Sequence, residues 1–306
     1  MDYIDLYKGL NPHLHIVADA RSTHTDIETV VRKPANILRH SSEMIETLKR
    51  SFGFSDALFS EHNVSFPKHI VQTRQHIIGR FLAADVRSRW GNTYYHFLTE
   101  VIPSVLFINR PNAVLACLDA PFVEPMLRWF GVQNHIVFGP PANARMVLTQ
   151  PYIECGNPSP AKISLLRNEI EKRVAMNPEI GIFIYRQEHT RKILNPDYVL
   201  DMLKRVYPAL EWHVFDRLDV GSTARLFSRA KIIVGPHGAG FTNMLFAPRN
   251  IHIVELMPLE SPNICYWHLS ELLGNKHFII PCSTVNTQFT IDDIETLLPP
   301  IECKEP

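Results

Sequence analysis

From Gly181 to Cys282, short apolar runs alternate with amphipathic stretches. The succession is "GIFIYR", "PDYVLDMLKRVY", "WHVFD", "STARLFSRA", "KIIVG", "FTNMLFA", "HIVELM", "YWHLSELLG" and "HFIIPC". Strands that are apolar on both faces need helices packed on both sides. The period therefore predicts a buried parallel sheet, doubly wound. A final stretch, "IDDIETLLPP", reads as a helix.

The first half is less regular. "NVSFP", "HIVQ" and "GRFLAADV" read as strands, and "TYYHFLTEVIPSVLFI" as a helix with a kink at Pro103. "AVLACL", a helix around "EPMLRWFG", and "HIVFG" form a β-α-β succession, with another strand in "RMVLTQPYI". The proline-rich connector "GNPSPAK" marks a boundary, followed by a helix over about residues 163–176. With 306 residues and 45% hydrophobic content, there is core enough for two units. The expected fold class is α/β with two Rossmann-like lobes facing a central cleft. The boundaries are an N-terminal α/β lobe over 1–158, a C-terminal Rossmann-like lobe over 159–285 and a helix or tail over 286–306.

The stretch that carries chemistry is G-x-H-G-A-G-x-x-N, Gly235 to Asn243, which follows "KIIV". In a doubly wound sheet the ligand lies beyond the carboxyl ends of the strands. Gly238 and Gly240, with Ala239 between them, let the backbone take unusual torsions and let a ligand approach the main chain. A helix beginning near Phe241 would aim unpaired N–H groups and its positive end at the turn, which suits a diphosphate. His237 can donate to a phosphate or a sugar hydroxyl, and Thr242 and Asn243 add donors in the first helical turn. Glu255, closing "IHIVE", is placed to accept from ribose hydroxyls. Asn243 stands where the dinucleotide fingerprint needs its third glycine, and the turn comes late in the chain. Both points argue against NAD, and the absence of a Walker lysine excludes a P-loop.

"GIFIYRQEHTRKILN" puts Arg186 at a strand's carboxyl end, with Arg191 and Lys192 in the loop beyond. Guanidinium forks match a diphosphate bidentately, and a lysine adds point charge. Such a cluster can stabilise a departing nucleoside diphosphate without a metal. In "GNTYYHFLTEVIPS", His96 and Glu100 are four apart and share a helix face, as a base and its orienting partner would. Asn92 can cap that helix or bind a sugar, with Tyr95 beside it.

Elsewhere the signals are weak. His13 and His15 form an H-x-H pair with no evident third ligand, so no metal site is expected. Tyr266, Trp267 and His268 read as core packing or as a stacking surface. Lysine plus arginine equals aspartate plus glutamate at 31 each, which disfavours nucleic acid as a partner. The five cysteines are dispersed without a CxxC, as for reduced thiols in a cytosolic protein. The start lacks a secretory signal, and no apolar run is long enough to span a bilayer.

Together, "YYHFLTEVIPS", "FIYRQEHTRKILN" and "VGPHGAGFTNMLFAP…IVELMP" resemble glycosyltransferase family 61, particularly its short bacterial-type members. The resemblance runs from about Trp90 to Leu273. It implies a GT-B fold and inverting, metal-independent transfer from a nucleotide sugar, usually UDP-linked. The sugar would be of xylose, arabinose or N-acetylglucosamine type, moved to a glycan or glycolipid hydroxyl, with no cofactor. Carried onto this chain, Arg186, His237, Gly238, Gly240 and Asn243 hold the diphosphate side. Glu255 lies near the nucleoside, and His96 and Glu100 face the acceptor. Phe241 replaces a common Leu, and Tyr185 a common Ser. The expected setting is the cytoplasm, peripheral to a membrane through the acceptor, in a bacterial or viral enzyme that builds a surface glycan. The alternatives are a non-catalytic nucleotide- or glycan-binding protein on the same fold and an NAD-dependent oxidoreductase.

Overall fold

The computed structural model describes residues 14–16, 59–60, 82–88, 90–109, 111–139, 146–149, 160–186, 190–258, 263, 265–282, 284–285, 287–292 and 294–301. The strands expected at "NVSFP" and "HIVQ", and His13, Cys155 and Cys303, lie outside them. The chain divides into two compact units, one of residues 1–37 with 174–306 and the other of residues 38–173.

The unit of residues 38–173 has a five-stranded sheet. Its strands are β2 (Phe59–Ser60), β3 (Leu82–Asp85), β4 (Val114–Cys117), β5 (Ile136–Phe138) and β6 (Met146–Thr149), in the order β2-β6-β3-β4-β5. All pairs are parallel except β2 with β6. After β3 the chain enters a helix in three parts. These are α1 (Tyr94–His96), a π-helical segment (Phe97–Val101) and α2 (Ile102–Ile108). The expected kink at Pro103 is realised as this π segment. Proline has no N–H to give, and its ring would strike the carbonyl four residues back. An extra residue in the preceding turn relieves that clash. α3 (Val123–Trp129) follows β4, and α4 (Pro160–Glu171) packs along the π segment and α2. α4 begins within the expected connector, at Pro160, a residue suited to a first helical turn.

The other unit has the predicted parallel sheet. Its strands are β1 (Leu14–Ile16), β7 (Ile180–Ile184), β8 (Glu211–Phe215), β9 (Ala230–Pro236), β10 (His252–Pro258) and β11 (Lys276–Cys282), ordered β1-β11-β10-β9-β7-β8. All are parallel. The chain runs from β7 out to β8, then crosses back over β7 to β9 and continues to β10 and β11. The reversal falls between β7 and β9, where doubly wound sheets open a crevice for ligands.

α5 (Pro196–Val206) buries Val199, Met202 and Leu203, spaced three and four apart on one face. Each such side chain contributes about 2 kcal/mol on burial. α6 (Val220–Phe227) is capped by Asp219, whose carboxylate accepts from the Ser222 amide at 3.0 Å. α7 (Cys265–Leu272) precedes β11.

Two expectations change here. The segment after the glycine turn, expected as an α-helix, is a 3₁₀ helix over Ala239–Phe246, with Phe241, Met244, Leu245 and Phe246 fully buried. Burial around the whole segment outweighs the ordinary preference for short 3₁₀ runs. The helix expected in "IDDIETLLPP" shrinks to a single 3₁₀ turn, Glu295–Leu297. Its residues serve the core instead. Phe289, Ile291, Ile294 and Leu298 pack with α5 and the sheet, and the Tyr207 hydroxyl donates to the Pro299 carbonyl at 2.7 Å. Among the described residues, no helix is long and apolar enough to cross a membrane.

Candidate active site

The reversal point of the C-terminal sheet is built from the end of β7 and the turn after β9. The turn's glycines serve close approach rather than unusual torsions. Gly238 has φ 164°, ordinary extended backbone, and neither Gly235 nor Gly240 has positive φ. A Cβ on Gly235 would lie 2.7 Å from Ile184 Cβ, and one on Gly240 2.8 Å from Ile184 Cγ2, so these two glycines press the turn onto β7. A Cβ on Gly238 would lie 2.5 Å from Arg186 Nη1. The missing side chain is what allows the guanidinium to lie against the turn's backbone.

His237 follows β9, its amide bonded to the Leu256 carbonyl at 2.9 Å. Its ring Nδ1 is 2.5 Å from Glu255 Oε1, and His277 Nε2, from β11, is 3.0 Å from Glu255 Oε2. Glu255 is wholly buried. Burial alone would raise its pKa. The His237 charge, the bonds from both rings and the His277 charge outweigh that, and the carboxyl is held down at about 2. An ionised carboxylate only accepts, so both rings donate to it. His277 Nδ1, on the other side of that ring, has no partner among the described residues. His237 is thereby fixed with its Nδ1–H on Glu255. Both Glu255 oxygens are thus engaged inside the protein, by His237 and His277.

Tyr266 stands beside His237, with ring centroids 5.0 Å apart, and is 5.9 Å from the Phe241 ring. Its hydroxyl pKa is raised by burial and by Cys265 and Glu255, against the pull of Arg191 and Arg186. Arg186, Arg191, His237 and Glu255 thus act on one tyrosine that the motif reading had left between core packing and stacking.

Arg191 has a left-handed φ of 60°, and the loop that carries it is tied to the C-terminal tail. The Arg191 amide donates to the Thr287 carbonyl, the Phe289 amide to the Lys192 carbonyl, and the Leu194 amide to the Phe289 carbonyl. Asn195 adds a two-way clasp with Ile291. Strain of this kind persists only where surrounding bonds over-determine it. Arg186 Nη2 lies 3.4 Å from Thr190 Oγ1. Lys192 is half-buried, and only its carbonyl joins this framework.

Of the remaining turn residues, Ala239 and Gly240 are half-buried at the start of the 3₁₀ helix. Asn243 Nδ2 donates to the Gly240 carbonyl at 3.0 Å, so this amide braces the turn. The Thr242 hydroxyl is fully buried and has no partner among the described residues.

In the unit of residues 38–173, β3 leads through a turn at Gly91 into α1. His96 Nδ1 and Glu100 Oε1 are 2.6 Å apart. The histidine side chain is 19% exposed and the carboxylate 5%, so the ring is the more accessible partner. Tyr95 is buried with its ring edge-on to His96 at 5.1 Å. Asn92 is exposed and is not the cap. Thr93 holds that position without a side-chain cap bond.

Beneath the pair is a residue that motif reading missed. Lys162, from α4, is 6% exposed and donates to Ser104 Oγ at 2.8 Å and to the Glu100 carbonyl at 3.3 Å. Burial lowers its pKa to about 7, against an opposing contribution from Glu100. Asp85, the last residue of β3, and Arg87, just beyond it, form a buried two-pronged ion pair at 2.9 and 2.8 Å.

Comparison with known proteins fits this geometry. A family model described as Glycosyltransferase 61 matches residues 94–254. The EGF domain-specific O-linked N-acetylglucosamine transferase of Drosophila melanogaster is 32% identical over 96 residues, covering 31% of this chain and 18% of that protein. Its counterpart in Gallus gallus is 36% identical over 98 residues, with the same coverages. The alpha-1,3-arabinosyltransferase XAT3 of Oryza sativa subsp. japonica is 30% identical over 81 residues, 25% of this chain and 14% of that protein. The match thus spans less than a fifth of these relatives' length. The family model, by contrast, takes in more than half of the chain, including both His96–Glu100 and the glycine turn, and the chain belongs to glycosyltransferase family 61.

Proposed function

We propose that this protein transfers a sugar from a nucleotide sugar, UDP-linked, to a glycan hydroxyl, by a single inverting displacement that needs no metal. The observation that carries the reading is the Arg186 guanidinium lying on Gly238 at the β7–β9 reversal, beside a His237 whose ring Glu255 orients. Backbone amides, two guanidinium groups and an imidazole supply the positive field that a leaving diphosphate requires. Relatives named as an N-acetylglucosamine transferase and an arabinosyltransferase support a sugar of one of these types, with xylose a third candidate.

In the reaction, the acceptor oxygen bonds to the anomeric carbon as the bond from that carbon to the β-phosphate oxygen breaks. The acceptor proton passes to the His96–Glu100 pair. Exposure favours His96 as the base, accepting the proton on Nε2 while its Nδ1–H stays bonded to Glu100. Glu100 then orients the ring and stabilises its charge, as carboxylates do behind catalytic histidines.

The test is UDP release from a panel of UDP-sugars, with and without glycan acceptors and in the presence of a chelator. Glu100→Gln should lower turnover by about 10²–10⁴-fold while UDP affinity is retained. Normal turnover in that variant would remove the base assignment. UDP binding without any turnover would favour a binding protein, and a strict metal requirement would refute the metal-free mechanism.

A further inference from the structure

Lys162 comes from a helix 62 residues beyond Glu100, yet its ammonium is bonded to the peptide carbonyl of Glu100 and to Ser104. Ser104 Oγ itself donates to the same Glu100 carbonyl at 2.6 Å. Glu100 sits in the π segment, where the ladder is widened ahead of Pro103. Two donors therefore converge on the one peptide that carries the carboxylate to His96. A lysine buried to this degree is costly unless a negative charge compensates it, and the Glu100 carboxylate acts on it in that sense.

We propose that Lys162 is a positioning residue for the transfer reaction: its ammonium fixes the π segment and, through it, holds the Glu100 carboxylate against His96. This rests on the reading of His96–Glu100 as the base. The lysine touches neither donor nor acceptor and works through Glu100. The lowered pKa of Lys162, about 7, adds that its charge is lost near neutrality, so the pair it governs responds to pH there.

Among the described residues of this unit, several other charged groups form pairs of their own. Arg167 on α4 bonds Glu171, Arg173 bonds Glu169, and Arg128 on α3 bonds Glu124. Arg87 bonds Asp85 beside β3. The Tyr94 hydroxyl on α1 is kept neutral by burial. None of these pairs includes His96 or Glu100, whereas Lys162 bonds the Glu100 peptide directly.

The experiment is an NMR titration of the His96 ring in the full chain, its signal assigned with His96→Asn, together with the pH profile of kcat/KM. Lys162→Met keeps the stem and removes the charge. The His96 midpoint should rise by about one pH unit, and the acidic limb of the profile should rise with it. Ser104→Ala, a milder change that leaves the lysine in place, should move the midpoint the same way by less. A purely structural lysine would change the melting temperature and leave the midpoint where it was. An unchanged midpoint in folded Lys162→Met and Ser104→Ala overturns the proposal. A midpoint that moves while the pH profile stays fixed upholds the coupling and overturns the pair as the base.

Discussion

Gly238→Ala separates a glycine needed for the fold from one needed for a ligand. The added Cβ would stand 2.5 Å from Arg186 Nη1, and the next atoms, Arg186 Cζ and the Pro236 carbonyl oxygen, lie at 3.7 and 3.8 Å. The clash is thus with the far end of a flexible side chain. The backbone at φ 164° accepts alanine without strain, so the guanidinium swings away and the fold stays intact. Gly235→Ala differs, because its Cβ would meet Ile184 Cβ at 2.7 Å and the Ile184 carbonyl oxygen at 3.2 Å, neither of which can swing aside. Overpacking of that sort costs about 1–3 kcal/mol. A charge-assisted hydrogen bond contributes about 1.5–3 kcal/mol, so displacing Arg186 should weaken UDP binding by roughly 10- to 100-fold. Calorimetric titration with UDP and urea denaturation of both variants provide the measurements. Gly238→Ala should lose affinity with stability within about 0.5 kcal/mol of wild type, and Gly235→Ala should lose stability. Wild-type UDP affinity in Gly238→Ala would refute the reasoning, as would equal destabilisation of the two variants.

Further outcomes concern the buried charges. Glu255 has its pKa lowered from 4.5 to about 2, so its contribution is fully present above about pH 4.5 and is lost as pH falls through 2. The size is about 3 kcal/mol, and urea denaturation between pH 5 and pH 2 should show a drop that Glu255→Gln flattens. For Lys162 the pKa falls from 10.5 to about 7, so in between the unfolded chain holds a proton that the folded chain has released. Stability should therefore rise with pH across that window, by up to about 5 kcal/mol, and Lys162→Met should abolish the slope. A wild-type slope of zero there would show that the ammonium is not buried in solution.

The glycine turn and the parallel sheet were legible because their signals are local. Apolar runs announce strands, and a strand followed by G-x-H-G-A-G announces a close approach. What the glycines approach was not legible, since Ile184 and Arg186 come from a strand some fifty residues earlier. His277 was invisible for a similar reason. In parallel register it pairs with Ile253, two residues from Glu255 and on the same face, and only that register brings its ring to the carboxylate. His96–Glu100 was readable from helical spacing, and the π segment leaves the pair in contact. Lys162 was hidden because it stands in a proline-rich stretch that reads as connector, where α4 in fact begins. The tail misled in the opposite direction. "IDDIETLLPP" has helix-like spacing, but its apolar residues are spent on packing against α5 and on pairing with the loop that carries Arg191.

β1 has a consequence for how the protein is made. Leu14–Ile16 is synthesised long before its partner β11, at Lys276–Cys282, with the rest of the sheet made in between. The sheet's outer margin cannot close until β11 has been made, and such distant pairings form slowly. Until they form, β11 offers an unpaired row of backbone groups to any neighbouring chain. Removing Leu14–Ile16 would leave that row permanently open, and aggregation is the defect to expect.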